Sequence, residues 1–311
     1  MKIQIKKVLC ATDLSELSDY AVGYGIALAT EFNAQLLICH VVDLTAGHVY
    51  GEGMISPLEQ QSRLEEFAHA HLRELIGDAP IAWEPLVEIG HAPDEIVRLA
   101  EERAVDLVIS GTHARAGFKR LVLGSVTGRL MGSLPCPLLI VPYGKHHPQK
   151  GSIKAFKPKR ILVGCDFSPD SDLAFSYGLA LAQEFQSELH LVHVIEPESY
   201  KGLLKSGKAV EGQESQGLRD ILEDQLDGMV SEDARYWCTP ITVLLAGRPH
   251  EELTKYAVVN NIELVVMGVR GRSLVETLFV GSTTDRLARQ APCPILSVRP
   301  LKPHSGEDAG S

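Results

Sequence analysis

The chain has 311 residues, of which 45% are hydrophobic and 23% charged, so it has the composition of a globular protein with material for two hydrophobic cores. Its formal net charge of -10 argues against nucleic acid and anionic membrane surfaces as general partners, because both bind basic protein surfaces. The N-terminus lacks the apolar run of a signal peptide, and no stretch of ~18 apolar residues occurs, so we expect a cytoplasmic protein without a membrane span.

The first half of the chain alternates short apolar strands with helices. Strands are predicted over residues 7–12, 35–42, 83–90, 106–111 and 137–141. Helices are predicted over 16–32, about 57–75, 93–103 and from about residue 124 onward. Ser15 is a suitable N-cap for the first helix. This alternation predicts a doubly wound α/β domain whose five parallel strands are buried on both faces.

The chain then repeats itself. The segment KVLCATDLS (7–15) resembles RILVGCDFS (160–168), which places Asp13 opposite Asp166 at a shift of 153 positions. Farther on, DLVISGTHARAGFKRLVLGSVTGRL (106–130) matches ELVVMGVRGRSLVETLFVGSTTDRL (263–287) at a shift of 157. A Pro-Cys-Pro segment precedes the last strand of each half. The sequence therefore predicts a tandem duplication of one α/β domain.

The second half is predicted to repeat the same elements. They cover 160–165, 169–186, 188–195, about 214–230, 240–246, 249–260, 263–268, 282–290 and 294–298. The polar segment 144–158 is predicted to be a linker between a first domain, 1–143, and a second domain, 159–300, and residues 301–311 are predicted to be a flexible tail. The apolar fifth strand of each half is an edge in the assumed order 3-2-1-4-5, so we expect the halves to pack as a pseudo-dimer through it.

Two features meet at one place in this topology. In doubly wound sheets, ligands bind outside the carboxyl ends of the strands where the strand order reverses, which is here between strands 1 and 4. Asp13 and Asp166 follow strand 1 of each half, and glycines follow strand 4. In the second half, Gly268, Gly271 and Gly281 lead to Ser282, where a helix begins. Glycines that let the backbone approach a ligand, followed by a helix N-terminus, indicate a phosphate site.

These residues resemble the universal stress protein family in its tandem two-domain form, over nearly the whole of both halves. Nucleotide-binding members of that family carry Gly-x2-Gly-x9-Gly-(Ser/Thr) after strand 4, and the second half matches this pattern in full. The resemblance implies an Asp near the ribose and adenine, matched by Asp13 and Asp166. It also implies a Val that ends strand 2 and meets the adenine through its backbone, matched by Val41 and Val194.

The expected ligand is ATP, with Mg²⁺ as a candidate companion that the two aspartates can help to hold. The candidate residues of the first domain are Ala11, Thr12, Asp13, Val41, Gly111, His113, Arg115, Gly124, Ser125 and Val126. Those of the second domain are Gly164, Cys165, Asp166, Val194, Gly268, Arg270, Gly271, Arg272, Gly281, Ser282 and Thr283. Ala114 stands where the first half should have its second motif glycine, so the motif favours the second domain as the nucleotide site.

Most of these residues also have a structural interpretation. Ser125 and Ser282 either bind phosphate or cap the helix that follows, and the two aspartates either bind ribose or shape a turn before the first helix. Arg115 and Arg272 either offset phosphate charge or are solvated surface residues. His40 and His193, which stand near the end of strand 2, are expected to be hydrogen-bonded residues at the edge of the core.

The six cysteines form no Cys-x-x-Cys pair and are expected to be buried, reduced thiols. No usual zinc-ligand spacing occurs, and no arrangement of residues identifies a catalytic base or nucleophile, so any ATPase activity is expected to be weak. The sequence thus favours an ATP-binding stress-response or regulatory protein with an unidentified protein partner, with further homodimerisation left open. Two alternatives are a nucleotide-free dimerisation or interaction module and a slow ATP-hydrolysing enzyme.

Overall fold

A computed structural model of the chain describes residues 3–42, 57–112, 123–142, 155–196, 213–236, 239–271 and 280–300. The strands are β1 Lys7–Thr12, β2 Gln35–Val42, β3 Trp83–Ile89, β4 Leu107–Gly111, β5 Leu138–Val141, β6 Arg160–Cys165, β7 Glu188–Ile195, β8 Thr239–Ala246, β9 Leu264–Gly268 and β10 Ile295–Val298. The helices are α1 Glu16–Phe32, α2 Pro57–Ile76, α3 Ala92–Glu102, α4 Ser125–Ser133, α5 Pro169–Phe185, α6 Gln213–Met229, α7 Glu232–Arg235, α8 Pro249–Val259 and α9 Ser282–Gln290. The short helix α7 was not predicted.

All ten strands belong to one sheet, in the order β3-β2-β1-β4-β5-β10-β9-β6-β7-β8. Within each half the strands are parallel, and their order is the predicted 3-2-1-4-5. The halves meet where β5 and β10 pair antiparallel, with Leu139 opposite Leu296. The prediction of a pseudo-dimer joined through the fifth strand is therefore confirmed, and pairing removes the two exposed edges that the strands would otherwise present.

Helices cover both faces of the sheet, so the central strands are buried on two sides, whereas the outer strands β3 and β8 are only partly buried. One apolar cluster joins one face of the strands to α1, α2, α5 and α6, and the other joins the opposite face to α3, α4, α8 and α9. This arrangement explains why most strands are continuous apolar runs rather than alternating ones. Among the described helices, none combines the length and the apolar character needed to cross a bilayer.

The first helix of each domain begins at a serine cap, as the sequence predicted for α1. Ser15 accepts a hydrogen bond from the backbone N–H of Ser18, and Ser168 forms a reciprocal capping box with Ser171. The predicted domain and linker boundaries stay predictions. Of the linker, only residues 155–158 are described, and the predicted tail lies outside the described residues.

Candidate functional site

A cleft opens in the first domain at the carboxyl ends of β1 and β4, where the strand order reverses. Its volume is about 590 Å³, including the space open to solvent. All the described candidate residues of this domain line it: Ala11, Thr12, Asp13, Val41, Gly111, Gly124, Ser125 and Val126. His113 and Arg115 lie outside the described residues. The sequence had also not singled out six other lining residues: Ser18, Cys39, Ala92, Ile96, Ser110 and Thr127.

The N-terminus of α4 forms one wall of the cleft. Gly124 is its N-cap and provides no side-chain hydrogen bond, so Ser125 is the first residue of the helix rather than its cap. The helix is held to the end of β4 by two hydrogen bonds, one from the Gly124 N–H to the Thr112 carbonyl (2.7 Å) and one from the Thr127 hydroxyl to the Gly111 carbonyl (2.6 Å). The first N–H groups of a helix have no partner within the helix, which makes this wall suited to an anion.

The second domain repeats this anchoring of the helix. The Gly281 N–H donates to the Val269 carbonyl (2.8 Å), and the Thr284 hydroxyl donates to the Gly268 carbonyl (2.8 Å). Gly281 is the N-cap of α9, so Ser282 and Thr283 are the first two residues of that helix. Thr127 and Thr284 occupy equivalent repeat positions, so the internal repeat alone would have been enough to single them out.

The two aspartates shape the turn that follows the first strand of each domain. Asp13 Oδ1 accepts hydrogen bonds from the Ser15 N–H (3.1 Å) and the Ser18 hydroxyl (2.7 Å). Asp166 Oδ1 accepts one from the Ser168 N–H (3.0 Å). The structural interpretation of these residues therefore holds in both domains. Asp13 also faces the cleft, where it is accessible to a ligand.

A strained residue follows each aspartate. Leu14 has a φ of 61° and Phe167 a φ of 59°, in the left-handed region that residues with a side chain rarely adopt. The same strain recurs at equivalent positions, beside the predicted ligand site of both domains. Such outliers persist where the surrounding structure holds them in place, and they cluster at functional sites.

Gly271 does not need a left-handed backbone, because it is not among the glycines with positive φ. Its requirement is space, since a Cβ at this position would lie 2.7 Å from Asp166 Oδ2. The second motif glycine is therefore a close-approach position beside the aspartate. The equivalent Ala114 of the first domain lies outside the described residues.

Two contacts of the second domain were not predicted. A Cβ on Gly164 would lie 2.4 Å from the Met267 Sδ and 3.5 Å from Leu253, so the methionine packs where the first domain has the methyl group of Ala11. Asp170, on the first turn of α5, accepts hydrogen bonds from the Arg270 N–H, Nε and Nη2, each of 3.1 Å. The sequence indicated neither Met267 nor Asp170, because neither type of residue belongs to a phosphate-binding pattern.

The histidines at the end of the second strand have the predicted structural role. His40 Nδ1 donates to the Thr12 carbonyl (2.9 Å), and His193 Nδ1 donates to the Cys165 carbonyl (2.7 Å). Each bond ties the second strand of its domain to the end of the first. No group of three or more potential metal ligands occurs among the described residues.

The five described cysteines are buried and unpaired, and Cys238 lies outside the described residues. Burial is the largest cause that raises the pKa of Cys39, beside the cleft, to about 12, and of Cys165 to about 11. Both thiols are therefore protonated at neutral pH, which makes them poor nucleophiles.

We expect the protein to lose stability as the pH rises from about 9 to about 12. Unfolded thiols lose their protons near pH 8.5, whereas Cys39 keeps its proton in the folded state until about pH 12. Each such thiol lowers the free energy of unfolding by up to about 1.4 kcal/mol per pH unit in that range. Urea unfolding at pH 8 and pH 10.5 measures this loss. Cys39→Ala removes the contribution of one thiol, so an unchanged pH slope in that variant would contradict the assignment.

Comparison with known proteins bears on both halves of the chain. Residues 4–142 and 157–299 each match the universal stress protein family. Universal stress protein Rv2005c of Mycobacterium tuberculosis is 26% identical over 302 residues, which cover 94% of this chain and 96% of that protein. Universal stress protein MJ0531 of Methanocaldococcus jannaschii is 31% identical over 44% of this chain and 81% of its own length. A universal stress protein from Archaeoglobus fulgidus shares the fold, with a TM-score of 0.66 at 23% identity over 96% of this chain and 99% of that one.

Proposed function

Because the chain belongs to the universal stress protein family through both of its halves, we propose that it is a cytosolic stress-response protein that binds ATP at the switch-point crevice between the first and fourth strands of a domain. The observation that carries this proposal is the first-domain cleft, whose lining includes every described residue expected there from the sequence. The five buried, unpaired thiols suit a reducing compartment.

The parts of the cleft match the parts of ATP. The N-terminus of α4 offers backbone N–H groups and the Ser125 hydroxyl to the phosphates. Asp13 stands at the end of β1, in reach of ribose hydroxyls, and Val41 near the end of β2 offers backbone groups and an apolar surface to the adenine. A concave site with apolar walls and a few polar groups is the usual form of a small-molecule site.

Binding is proposed without turnover. Asp13 is the sole carboxylate among the described residues that line the cleft, and the serines that begin α1 already engage its Oδ1. These bonds hold the carboxylate in the turn after β1, where we assign it to the ribose and not to the activation of water. ATP occupancy instead changes the surface around the N-terminus of α4, where an unidentified protein partner can sense it.

Ser125→Ala is expected to weaken ATP binding about tenfold, because a hydrogen bond to a charged group is worth about 1.5 kcal/mol. Calorimetric titration of the purified protein with ATP measures this loss. Ser133→Ala is the matched control, since Ser133 ends the same helix and its hydroxyl bonds the Arg129 carbonyl, away from the cleft. Failure of the native protein to bind ATP would refute the proposal and favour the nucleotide-free interaction module.

A further inference from the structure

A second cavity opens at the junction of the two domains. Its volume is about 870 Å³, including the space open to solvent, which is within the usual range for a small-molecule site. Its first-domain lining includes Ile3, Ile5, Asp106 and Pro137, which stand before β1, β4 and β5. The proposed ATP cleft lies at the other ends of β1 and β4, and the two spaces share no lining residue.

Apolar side chains form most of the cavity wall. Three aromatic rings, those of Phe156, Tyr177 and Phe185, stand among aliphatic side chains, and Gln4 and Asp106 add polar groups. We propose that this cavity binds an uncharged aromatic alcohol, whose rings pack between the apolar walls and whose hydroxyl bonds that of Tyr177. Such a site is independent of ATP binding.

Both halves of the chain contribute corresponding residues to the cavity. Leu28 of α1 and Leu181 of α5 are equivalent at the 153-residue shift, and Leu139 and Leu296 are equivalent at the 157-residue shift. The last two lie opposite each other where β5 and β10 pair. Each domain thus supplies one wall, so the cavity is a consequence of the way in which the domains are joined.

One pair of lining residues breaks this correspondence. At the 153-residue shift, Ile3 corresponds to Phe156 and Tyr177 corresponds to Tyr24. The ring of Phe156 packs against that of Tyr24, with the centroids 5.1 Å apart. Around Tyr177 the chain has the smaller Ile3 in place of that phenylalanine, and both residues line the cavity. The space that one ring fills beside Tyr24 is therefore available to a ligand ring beside Tyr177.

The hydroxyl of Tyr177 is available to a ligand. It forms no hydrogen bond within the part of the chain that the structure describes, whereas the hydroxyl of Tyr24 lies 3.4 Å from that of Tyr20. Burial raises the pKa of Tyr177, and the nearby Cys136 and Asp106 raise it further, so the hydroxyl keeps its proton at neutral pH. A protonated phenol both donates and accepts hydrogen bonds, which suits a ligand hydroxyl.

The charge around the cavity disfavours an anionic ligand. Asp106 Oδ2 accepts hydrogen bonds from the backbone N–H groups of Lys6 (2.8 Å) and Lys7 (2.9 Å), which fixes the segment before β1 beside the start of β4. No lysine or arginine is among the described residues that line the cavity. A ligand carboxylate would lose its hydration without gaining a cation and would stand near a like charge, both of which cost free energy.

The test titrates the full chain with 1-naphthol and follows the fluorescence of this probe, which changes when its hydroxyl leaves water. We expect saturable binding. Naphthalene, which lacks the hydroxyl, is expected to bind about tenfold more weakly, because the hydrogen bond to Tyr177 is lost. The anion 1-naphthoate is expected to bind roughly a hundredfold more weakly than 1-naphthol, because it places a carboxylate near Asp106.

Three variants assign the probe to this cavity. Tyr177→Phe is expected to remove the preference for 1-naphthol over naphthalene and to leave naphthalene binding unchanged. Tyr24→Phe is the matched control, since the equivalent Tyr24 does not line the cavity, and it is expected to keep the preference. Ile3→Phe, which copies Phe156 into the first half, is expected to fill the space and abolish binding of both compounds. The isosteric Tyr177→Phe keeps the test available if Ile3→Phe does not fold.

The outcomes separate this inference from the proposed ATP function. Binding of 1-naphthol that Tyr177→Phe weakens and Ile3→Phe abolishes supports the inference. Absence of saturable binding overturns it, as does binding that survives Ile3→Phe, an unchanged preference in Tyr177→Phe, or equal binding of 1-naphthoate. Titration of the same variants with ATP reports on the cleft alone, so a failure of ATP binding leaves the naphthol result to be judged by itself.

Discussion

Replacing Gly268 by alanine is expected to lower the free energy of unfolding by about 3 kcal/mol, because the new methyl group would overpack a buried contact. The added Cβ would lie 2.7 Å from the Asp170 carbonyl carbon and 2.8 Å from both its carbonyl oxygen and its Cβ. Two of these atoms are backbone, so the end of β9 and the first turn of α5 must separate for the methyl group to fit. Chemical denaturation of the purified variant measures the loss.

Gly228→Ala is the matched control for this experiment. Gly228 lies near the end of α6, where a Cβ would meet nothing within 4 Å, and alanine has the higher helix propensity. We expect this change to leave stability equal or slightly increased. Equal stability of the Gly268→Ala variant and the native protein would show that β9 and α5 do not pack as closely as the structure has them.

Leu139→Asp is expected to cost about 5 kcal/mol, since it loses a buried leucine and places a charge in an apolar site. Leu139 is 2% exposed and pairs with Leu296 where β5 and β10 join the two domains. The substitution therefore weakens the pairing between the two domains, and we expect the domains of the variant to unfold in two separate transitions. Differential scanning calorimetry distinguishes this result from a single transition at lower temperature.

Leu64→Asp controls for the introduced charge, because Leu64 is 40% exposed on α2 and its change to a polar residue is expected to cost little. A Leu139→Asp variant that unfolds in one transition, with the same midpoint as the Leu64→Asp variant, would contradict the role given to the β5–β10 pair. It would mean that the two domains remain coupled through other contacts.

Most elements of the fold could be predicted because each depends on a local pattern. A short stretch of sequence is enough to identify the apolar runs of β1 and β6 and the serine caps before α1 and α5. The internal repeat supports each of these assignments a second time. Helix α7 escaped prediction because four residues are too few to show a helical period.

The candidate site was predictable only in part. The residues that line the first-domain cleft follow from strand ends and a glycine pattern, which are sequence features. The contact between Asp170 and Arg270 joins residues one hundred positions apart, and the sequence did not single out Asp170. A sequence pattern identifies the residues that could bind a phosphate but not the partners that those residues contact in the folded chain.

The sequence by itself determined the duplicated α/β framework and the family, because repeated patterns and strand ends are local properties of a chain, whereas the assumed strand order needed the structure for its confirmation. Only the tertiary structure decided which side chains meet around the candidate sites. Such contacts join side chains from separate elements, as Met267 meets Gly164 and Asp170 meets Arg270. Packing is a property of the assembled neighbours, which is why the sequence predicted candidate residues but not the contacts around them.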